Sequence, residues 1–391
     1  MAVIFWLSVA LIVYAYAGYA CALFVLSHVR TRPVRKDVFT PRVSFIIAAH
    51  NERARIREKI ENTLAQDYPA DRLEVLVASD CSTDGTDAIV CGFGERVRLV
   101  RASERRGKEA AQRLAIAHAT GEIFVFSDAA TAIAPDAVRT IVANFADPDV
   151  GCVSSVDRFI DPDGRISGEG AYVRYEMWLR ELETRVYSLV GLSGSFFAVR
   201  RLVCGAWAAD RQSDFSTLLN TVRFGLRGVL DRDAVGYYRN IVDEGSEHDR
   251  KVRTVVRGIS VLASNLDLLN PLRRPLFAWQ LASHKLCRWL VPFAMIAALA
   301  SNAALVAAPF YRAMFAAQLT FYAAAAAGFW TGAGALRLPA YFVRSNLSIL
   351  AAWIRFARGE RMTTWTPSDR VAALPDTPST ASGFRKLVAG R

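Results

Sequence analysis

Residues 2–26 contain no charged side chain, an apolar run that constrains this chain more than any other feature. In hydrocarbon a backbone must satisfy its own hydrogen bonds, so such a run can only be a helix. Its length suffices to cross a hydrocarbon layer about 30 Å thick. Arg30, Arg32, Arg35 and Lys36 follow immediately, with only the amino terminus ahead of the run, and that bias predicts a cytoplasmic location for what comes next. A cleaved secretory leader would carry a basic start, which is missing, so residues 1–29 read as a retained anchor.

A second apolar block begins after His284, Lys285, Arg288 and Trp289, side chains that suit the headgroup layer where a helix enters lipid. Two further spans fit, at 290–310 and 314–336. The next segment, 338–356, holds Arg344 and Asn346, which are costly at a bilayer centre, and is predicted to lie in the interface. The arginines Arg355, Arg358, Arg361 and Arg370 favour a cytoplasmic tail from 358 to 391, whose polar end, 376–391, is expected to lack fixed structure. The expected partition is an anchor (1–29), a cytoplasmic domain (41–269), carboxyl-terminal membrane helices (284–357) and the tail, in a multi-pass protein of the inner, cytoplasmic membrane.

The chain has 391 residues and a formal net charge of +11, which raises the question of nucleic acid. Its basic residues are mostly arginines scattered throughout rather than gathered in one patch, and those beside the spans suit anionic lipid, so no nucleic-acid partner is expected. The six cysteines form no CxxC pair and no zinc-ligand spacing, as expected for reduced thiols in a cytoplasmic domain.

Between the apolar blocks, short apolar runs alternate with amphipathic stretches. Val43–Ala49, Leu73–Ser79, 96–101 and 122–127 read as strands, with helices at 52–65 and 108–119 between them. Such alternation implies parallel strands covered on both faces, and ligands of such sheets collect at the strands' carboxyl ends. The polar residues fall there: His50, Asn51 and Glu52 after the first strand, Asp80 after the second, Asp128 after a later one. In Ser79–Thr86, SDCSTDGT, the hydroxyls suit helix capping and Gly85 suits a turn with positive φ. AAHNE (48–52) and RRGKEAA (105–111) put polar or cationic groups at helix starts, where backbone N–H groups favour anions.

Six segments, VSFIIAAHNE, VLVASDCSTDGT, RRGKEAA, FVFSDAAT, GLSGSFFAVRR and QSDFSTLL, occur in an order that resembles glycosyltransferase family 2. The resemblance implies an α/β fold, the GT-A type nucleotide-sugar (Rossmann-like) mixed sheet, and an inverting transfer. It gives Asp80 to the nucleotide base, Lys108 to the nucleotide's neighbourhood, and Asp128 to a divalent cation, Mg2+ or Mn2+, as first carboxylate of an Asp-x-Asp motif. Asp214 becomes the catalytic base. Gly194 and Ser195 border the acceptor, and His50 and Glu52 join the substrate-binding set.

The chemistry explains these residue types. Charge builds on a departing diphosphate, which a carboxylate-held cation offsets, while the acceptor hydroxyl needs a base to take its proton. Two departures from the pattern stand out. Ala130 replaces the second aspartate of the metal motif, which leaves an inactive nucleotide-sugar-binding protein as one alternative. RKVRT, 250–254, lies where processive synthases carry Gln-x-x-Arg-Trp. Arg253, with Arg250, could serve the diphosphate, or the segment could be an amphipathic helix along the membrane surface.

Few spans follow the domain, so a self-contained polymer channel is not expected, although a processive exopolysaccharide synthase is a second alternative. The expected activity moves one sugar, or a short run, from a nucleotide-sugar donor, most commonly UDP-linked, to a lipid-linked or envelope-polysaccharide acceptor. Membrane lipid and envelope-polysaccharide assembly proteins are the other expected partners. A helix at 168–187 carries Tyr172, Tyr175 and Trp178, read first as packing and second as a sugar-stacking surface, and Trp365 reads as a surface anchor.

Overall fold

The computed structural model describes residues 1–160, 171–239, 244–331 and 334–360. The expectations for Trp365 and for 376–391 fall outside these residues. Among the described residues, contacts divide the chain into an α/β unit, within Arg32–Thr184 and Gly191–Glu244, and a helical unit, Met1–Thr31 with Arg185–Val190 and residues 245–360.

The α/β unit is built on strands β1 (Val43–Ala49), β2 (Leu73–Ser79), β3 (Arg98–Arg101), β4 (Ile123–Asp128), β5 (Ala132–Ile133), β6 (Val150–Ile160), β7 (Phe196–Arg200) and β8 (Arg227–Arg239). They form one sheet in the order β3-β2-β1-β4-β7-β6-β8-β5. The first four are parallel, as the strand-helix alternation predicts. Beyond them β7 runs antiparallel to both β4 and β6, and β5 antiparallel to β8, so the sheet is mixed. Every residue of β1 is buried, which explains its mostly apolar run, broken by Ser44, at the centre of a sheet covered on both faces.

Register positions the site. Ala48 pairs with Ala78 on one side and with Asp128 on the other, so the chain leaves β1, β2 and β4 at one edge of the sheet. Because β7 is antiparallel to β4, with Phe196 opposite Ser127, the loop that precedes β7 arrives at that same edge. The core beneath is Phe45, Ile47, Val77, Val125, Ile141 and Phe196. Phe126 stacks between Phe197 and Trp207, with ring centroids 5.0 and 4.8 Å away, pairs each worth about 1 kcal/mol beyond their burial. The thiols of Cys152 and Cys204 are buried in this unit, and burial holds both well above the usual thiol range, as inert cysteines should be.

Among the described residues of the helical unit, three helices are long and apolar enough to cross a membrane: Ala2–Val29, Pro275–Ala303 and Pro309–Thr331. The second begins earlier than the sequence predicted. His284, Lys285, Arg288 and Trp289 lie within it rather than ahead of it, because their polar groups find partners in the unit: Arg288 sits over the Tyr16 ring and donates to the Ala15 carbonyl, and His284 is buried beside Tyr19. Tyr14 and Ser283 share a 2.7 Å hydrogen bond, and the Trp279 indole donates to the Tyr14 hydroxyl. The helix Arg337–Ala357, which contains Arg344 and Asn346, is not among the three. Against it packs Glu244–Ala263, through Val252 and Val256 on Ala352, so contacts assign this helix to the helical unit rather than to the α/β domain drawn to residue 269.

Candidate active site

Lys108 is the hub of the site. It opens the helix Lys108–His118, and its Nζ donates to Asp128 Oδ1 and, at 3.0 Å, to the Gly194 carbonyl. Burial works against the ammonium, yet Asp128, and further off Glu109 and Asp214, hold it above its ordinary lysine value, so it is a fixed positive charge. The start of its helix is tied down by Trp207, whose indole donates to the Glu109 carbonyl at 3.0 Å.

Asp214 approaches from the other side. It lies in the first turn of the helix Ser213–Arg223, where the helix dipole favours a carboxylate, and accepts from the Phe215 N–H at 2.8 Å and the Gln212 amide at 3.1 Å. A β-carbon added at Gly194 would sit 2.9 Å from Asp214 Oδ2, closer than real contacts allow. A side chain at this position would therefore require the Asp214 carboxylate to shift. Asp128, Lys108 and Asp214, distant in sequence, thus meet around one backbone segment, 193–195.

Asp80 faces a different task. Its carboxylate is buried and accepts from the backbone N–H groups of Arg106 and Gly107, both at 2.9 Å, holding the RRGK loop onto the end of β2. His50 donates its Nδ1 proton to the Asp80 carbonyl at 2.6 Å, and buried Glu52 pairs with Arg55 at 3.1 Å. Asp80 and His50 thereby link the ends of β1 and β2 to the loop that leads into Lys108. Gly85 has φ 93°, as its turn requires, while Asn51 and Cys81, just past β1 and β2, adopt φ of 53° and 56°. Positive φ in non-glycine residues is uncommon and concentrates where a loop is held for function.

Three residues were not singled out from the sequence. Lys59 is fully buried on the helix Ile56–Leu64, with Nζ 2.7 Å from both Ser127 Oγ and the Thr131 carbonyl, so it braces the two ends of the loop that carries Asp128. Burial, opposed by Asp128, lowers it to about 7. Arg180 donates to Ser154 Oγ and to the Gly191 carbonyl. Asp157 on β6 lies within hydrogen-bond distance of the Ser195 and Ser193 hydroxyls, at 2.7 and 2.6 Å, and burial pushes its carboxyl above the usual range. A mid-helix lysine and a strand-interior aspartate look unremarkable without the register that brings them here.

Ser195, expected to border an acceptor, directs its hydroxyl to Asp157 while its carbonyl accepts from the Asp128 N–H at 2.9 Å. Arg250 and Arg253 belong to the helical unit, on Glu244–Ala263, where Arg253 is held below the ordinary arginine range by burial and then by Arg257 and Arg250. Arg174, Tyr172, Tyr175 and Trp178 lie on Ala171–Val186, with successive aromatic rings 6.5 and 6.2 Å apart.

A divalent cation would find a sparse set of donors. Among the described residues no three His, Cys, Asp or Glu side chains cluster as a cage. Asp128 nonetheless leaves a partly exposed carboxylate with one oxygen outside the Lys108 bond. Mg2+ keeps several waters and commonly binds one or two carboxylates plus substrate phosphates, so a single protein carboxylate fits it. A shallow depression of about 530 Å³, bordered by Phe39, Glu122, Arg200 and Leu202, lies among the opposite strand ends and holds none of these groups.

A parallel-led mixed sheet with charged groups gathered at its carboxyl edge defines a GT-A type nucleotide-sugar domain. Residues 44–205 match the model of glycosyl transferase family 2, and the chain carries a domain of that family. It resembles the structure of a mannosyltransferase from Pyrobaculum calidifontis solved with GDP-Man and Mn2+, at a TM-score of 0.71 and 26% identity over 91% of this chain and 99% of that one. Among curated relatives it is 27% identical to the beta-monoglucosyldiacylglycerol synthase of Nostoc sp. over 47% of this chain, and 35% identical to the succinoglycan biosynthesis protein ExoO of Rhizobium meliloti over 26%. These matches span 42% and 29% of the relatives' own lengths, so the chain spans less than half of each.

Proposed function

We propose that this chain is a membrane-bound inverting glycosyltransferase that moves a sugar from a nucleotide-sugar donor to a lipid-linked or envelope-polysaccharide acceptor. The observation that carries the reading is the convergence of Asp128, Lys108 and Asp214 around Gly194. Asp214 takes the proton of the acceptor hydroxyl as that oxygen bonds the anomeric carbon and the bond to the diphosphate breaks. A single displacement of this kind inverts the centre, so an α-linked donor yields a β-linked product. Lys108 supplies a fixed positive charge, worth most in a site partly closed to water. Asp128 is the residue that would hold a divalent cation, which would supply charge neutralisation at the departing diphosphate.

Asp80, with His50 and Glu52, fixes the shape of the nucleotide side of the site, and Arg250 and Arg253 are proposed as diphosphate contacts on the strength of their motif. The three apolar helices anchor the protein in the cytoplasmic membrane with the α/β unit on the cytoplasmic side, in keeping with the basic residues after the first of them. A lipid-linked acceptor is then within the same membrane, a reading supported by the diacylglycerol glycoside named for the Nostoc relative.

The donor nucleotide has two readings. UDP is the commonest in the family, whereas the mannosyltransferase of similar fold was solved with GDP-Man. A panel of radiolabelled UDP- and GDP-linked sugars, given to membranes with and without the protein, separates them. The proposal expects nucleoside diphosphate release and label transfer from one donor in the panel, and release from none would defeat it.

A further inference from the structure

We propose that Asp157 is a positioning residue of the transfer reaction, the keystone of a hydrogen-bonded ring with Ser193 and Ser195 that holds Gly194 in place beside Lys108 and Asp214. The inference rests on the transferase reading above and adds a residue to it. Asp157 Oδ2 lies 2.6 Å from Ser193 Oγ, Oδ1 lies 2.7 Å from Ser195 Oγ, and the two serine oxygens are 2.7 Å from each other. Three oxygen–oxygen contacts of this length need three protons. The two hydroxyls supply two of them, and the third is the carboxyl proton of Asp157 itself. A neutral Asp157 closes the ring, each member donating once and accepting once.

The ring stands beneath a short and heavily used piece of backbone. Ser193 N–H donates to Ser154 Oγ at 2.8 Å, and Ser154 is in turn held by Arg180. Gly194 gives its carbonyl to Lys108. Ser195 gives its carbonyl to the N–H of Asp128 at 2.9 Å. The backbone from 193 to 195 therefore touches the cation-side carboxylate's residue at Ser195 and lies against the base at Gly194. The side chains of Ser193 and Ser195, one on each side of Gly194, both turn to Asp157, so releasing Asp157 frees both flanks of that glycine together. Asp157 touches neither Lys108 nor Asp214 by any hydrogen bond, and its action on the reaction runs through the loop.

A ring that works by geometry rather than by charge makes a distinctive prediction. Asparagine can take the place of a protonated aspartate, with its amide donating to one serine and its carbonyl accepting from the other. Leucine of similar size cannot. Asp157→Leu is expected to lower kcat about 100-fold, the scale of a misplacement near 1 Å, with the nucleotide dissociation constant within about threefold of wild type. Asp157→Asn is expected to keep kcat within about threefold.

Asp157→Leu turning over at the wild-type rate overturns the inference. So does Asp157→Asn falling as far as Asp157→Leu, since that would mean the charge matters and not the ring. Should Asp157→Leu fail to fold, Ser193→Ala opens the ring without touching a charge, with an expected kcat loss of about tenfold at unchanged nucleotide affinity and unchanged turnover again counting against the ring. The wild-type rate tests the transferase reading separately. If the wild type transfers no sugar, amide hydrogen exchange across residues 191–196 still judges the ring: Asp157→Leu must raise it and Asp157→Asn must not.

Discussion

The carboxyl edge of the α/β sheet and the interior of the helical unit both hold charged and polar groups away from bulk water, but they dispose of them differently. In the helical unit several of these groups close on partners within the unit: Tyr14 with Ser283 and Trp279, Arg288 with Tyr16, Lys251 with Ser345, His248 with Ser348. At the sheet edge Asp128 keeps an oxygen and about a third of its side-chain surface open, while Lys108 is positive and Asp214 is pressed against a glycine. Polar groups in an apolar unit must be paired to be tolerated, whereas a reactive site must leave some capacity unspent. The contrast marks the sheet edge as the place of chemistry and the helical unit chiefly as its anchor.

Asp214→Asn should break the sheet edge most completely. Loss of the base is expected to cut transfer about 1,000-fold while nucleotide binding persists, measured by label transfer beside equilibrium binding. Undiminished transfer would remove Asp214 from the base role. Asp128→Asn should weaken divalent-cation-dependent donor binding about tenfold, seen as a rise in the cation concentration needed for half-maximal binding.

Arg253→Gln probes the contrast from the other side, since Arg253 is a helical-unit residue given a part in the chemistry. A diphosphate contact predicts a donor KM about tenfold higher with kcat little changed, and an unchanged KM would leave the helical unit as anchor alone.

A test on stability rather than turnover concerns Lys59. Its folded value is near 7 while an unfolded lysine titrates near 10.5, so between those values the unfolded chain binds the extra proton and stability rises with pH. The full cost of burying the charge is present below about pH 7 and is relieved above it, with a slope of at most about 1.4 kcal/mol per pH unit. Thermal unfolding should show this rise between pH 7 and 9, and Lys59→Met should flatten it.

Much of this was legible in the sequence, for stated reasons. Predominantly apolar runs gave β1 and β2 to the residue, because parallel strands covered on both faces carry few polar side chains. Asp128, Lys108, Gly194 and Asp214 could be picked out because each lies in a motif beside a strand or helix end. What stayed hidden depends on long-range pairing. The antiparallel entry of β7, which carries 193–195 to the edge, has no local signature, and Asp157 is one more residue of β6 until Ser193 and Ser195 come within reach. The start of the helix Pro275–Ala303 was misplaced for the same reason: Arg288 looks like a headgroup residue until the Tyr16 ring covers it. Asp80 matched a nucleotide contact by motif, and only the coordinates reveal how fully the backbone of Arg106 and Gly107 occupies it.

The most direct test of the central claim is the anomeric configuration of the product. With an α-linked nucleotide sugar as donor, one displacement assisted by Asp214 predicts a β-glycoside, read from the proton coupling of the anomeric centre in the isolated product. An α-glycoside would contradict it.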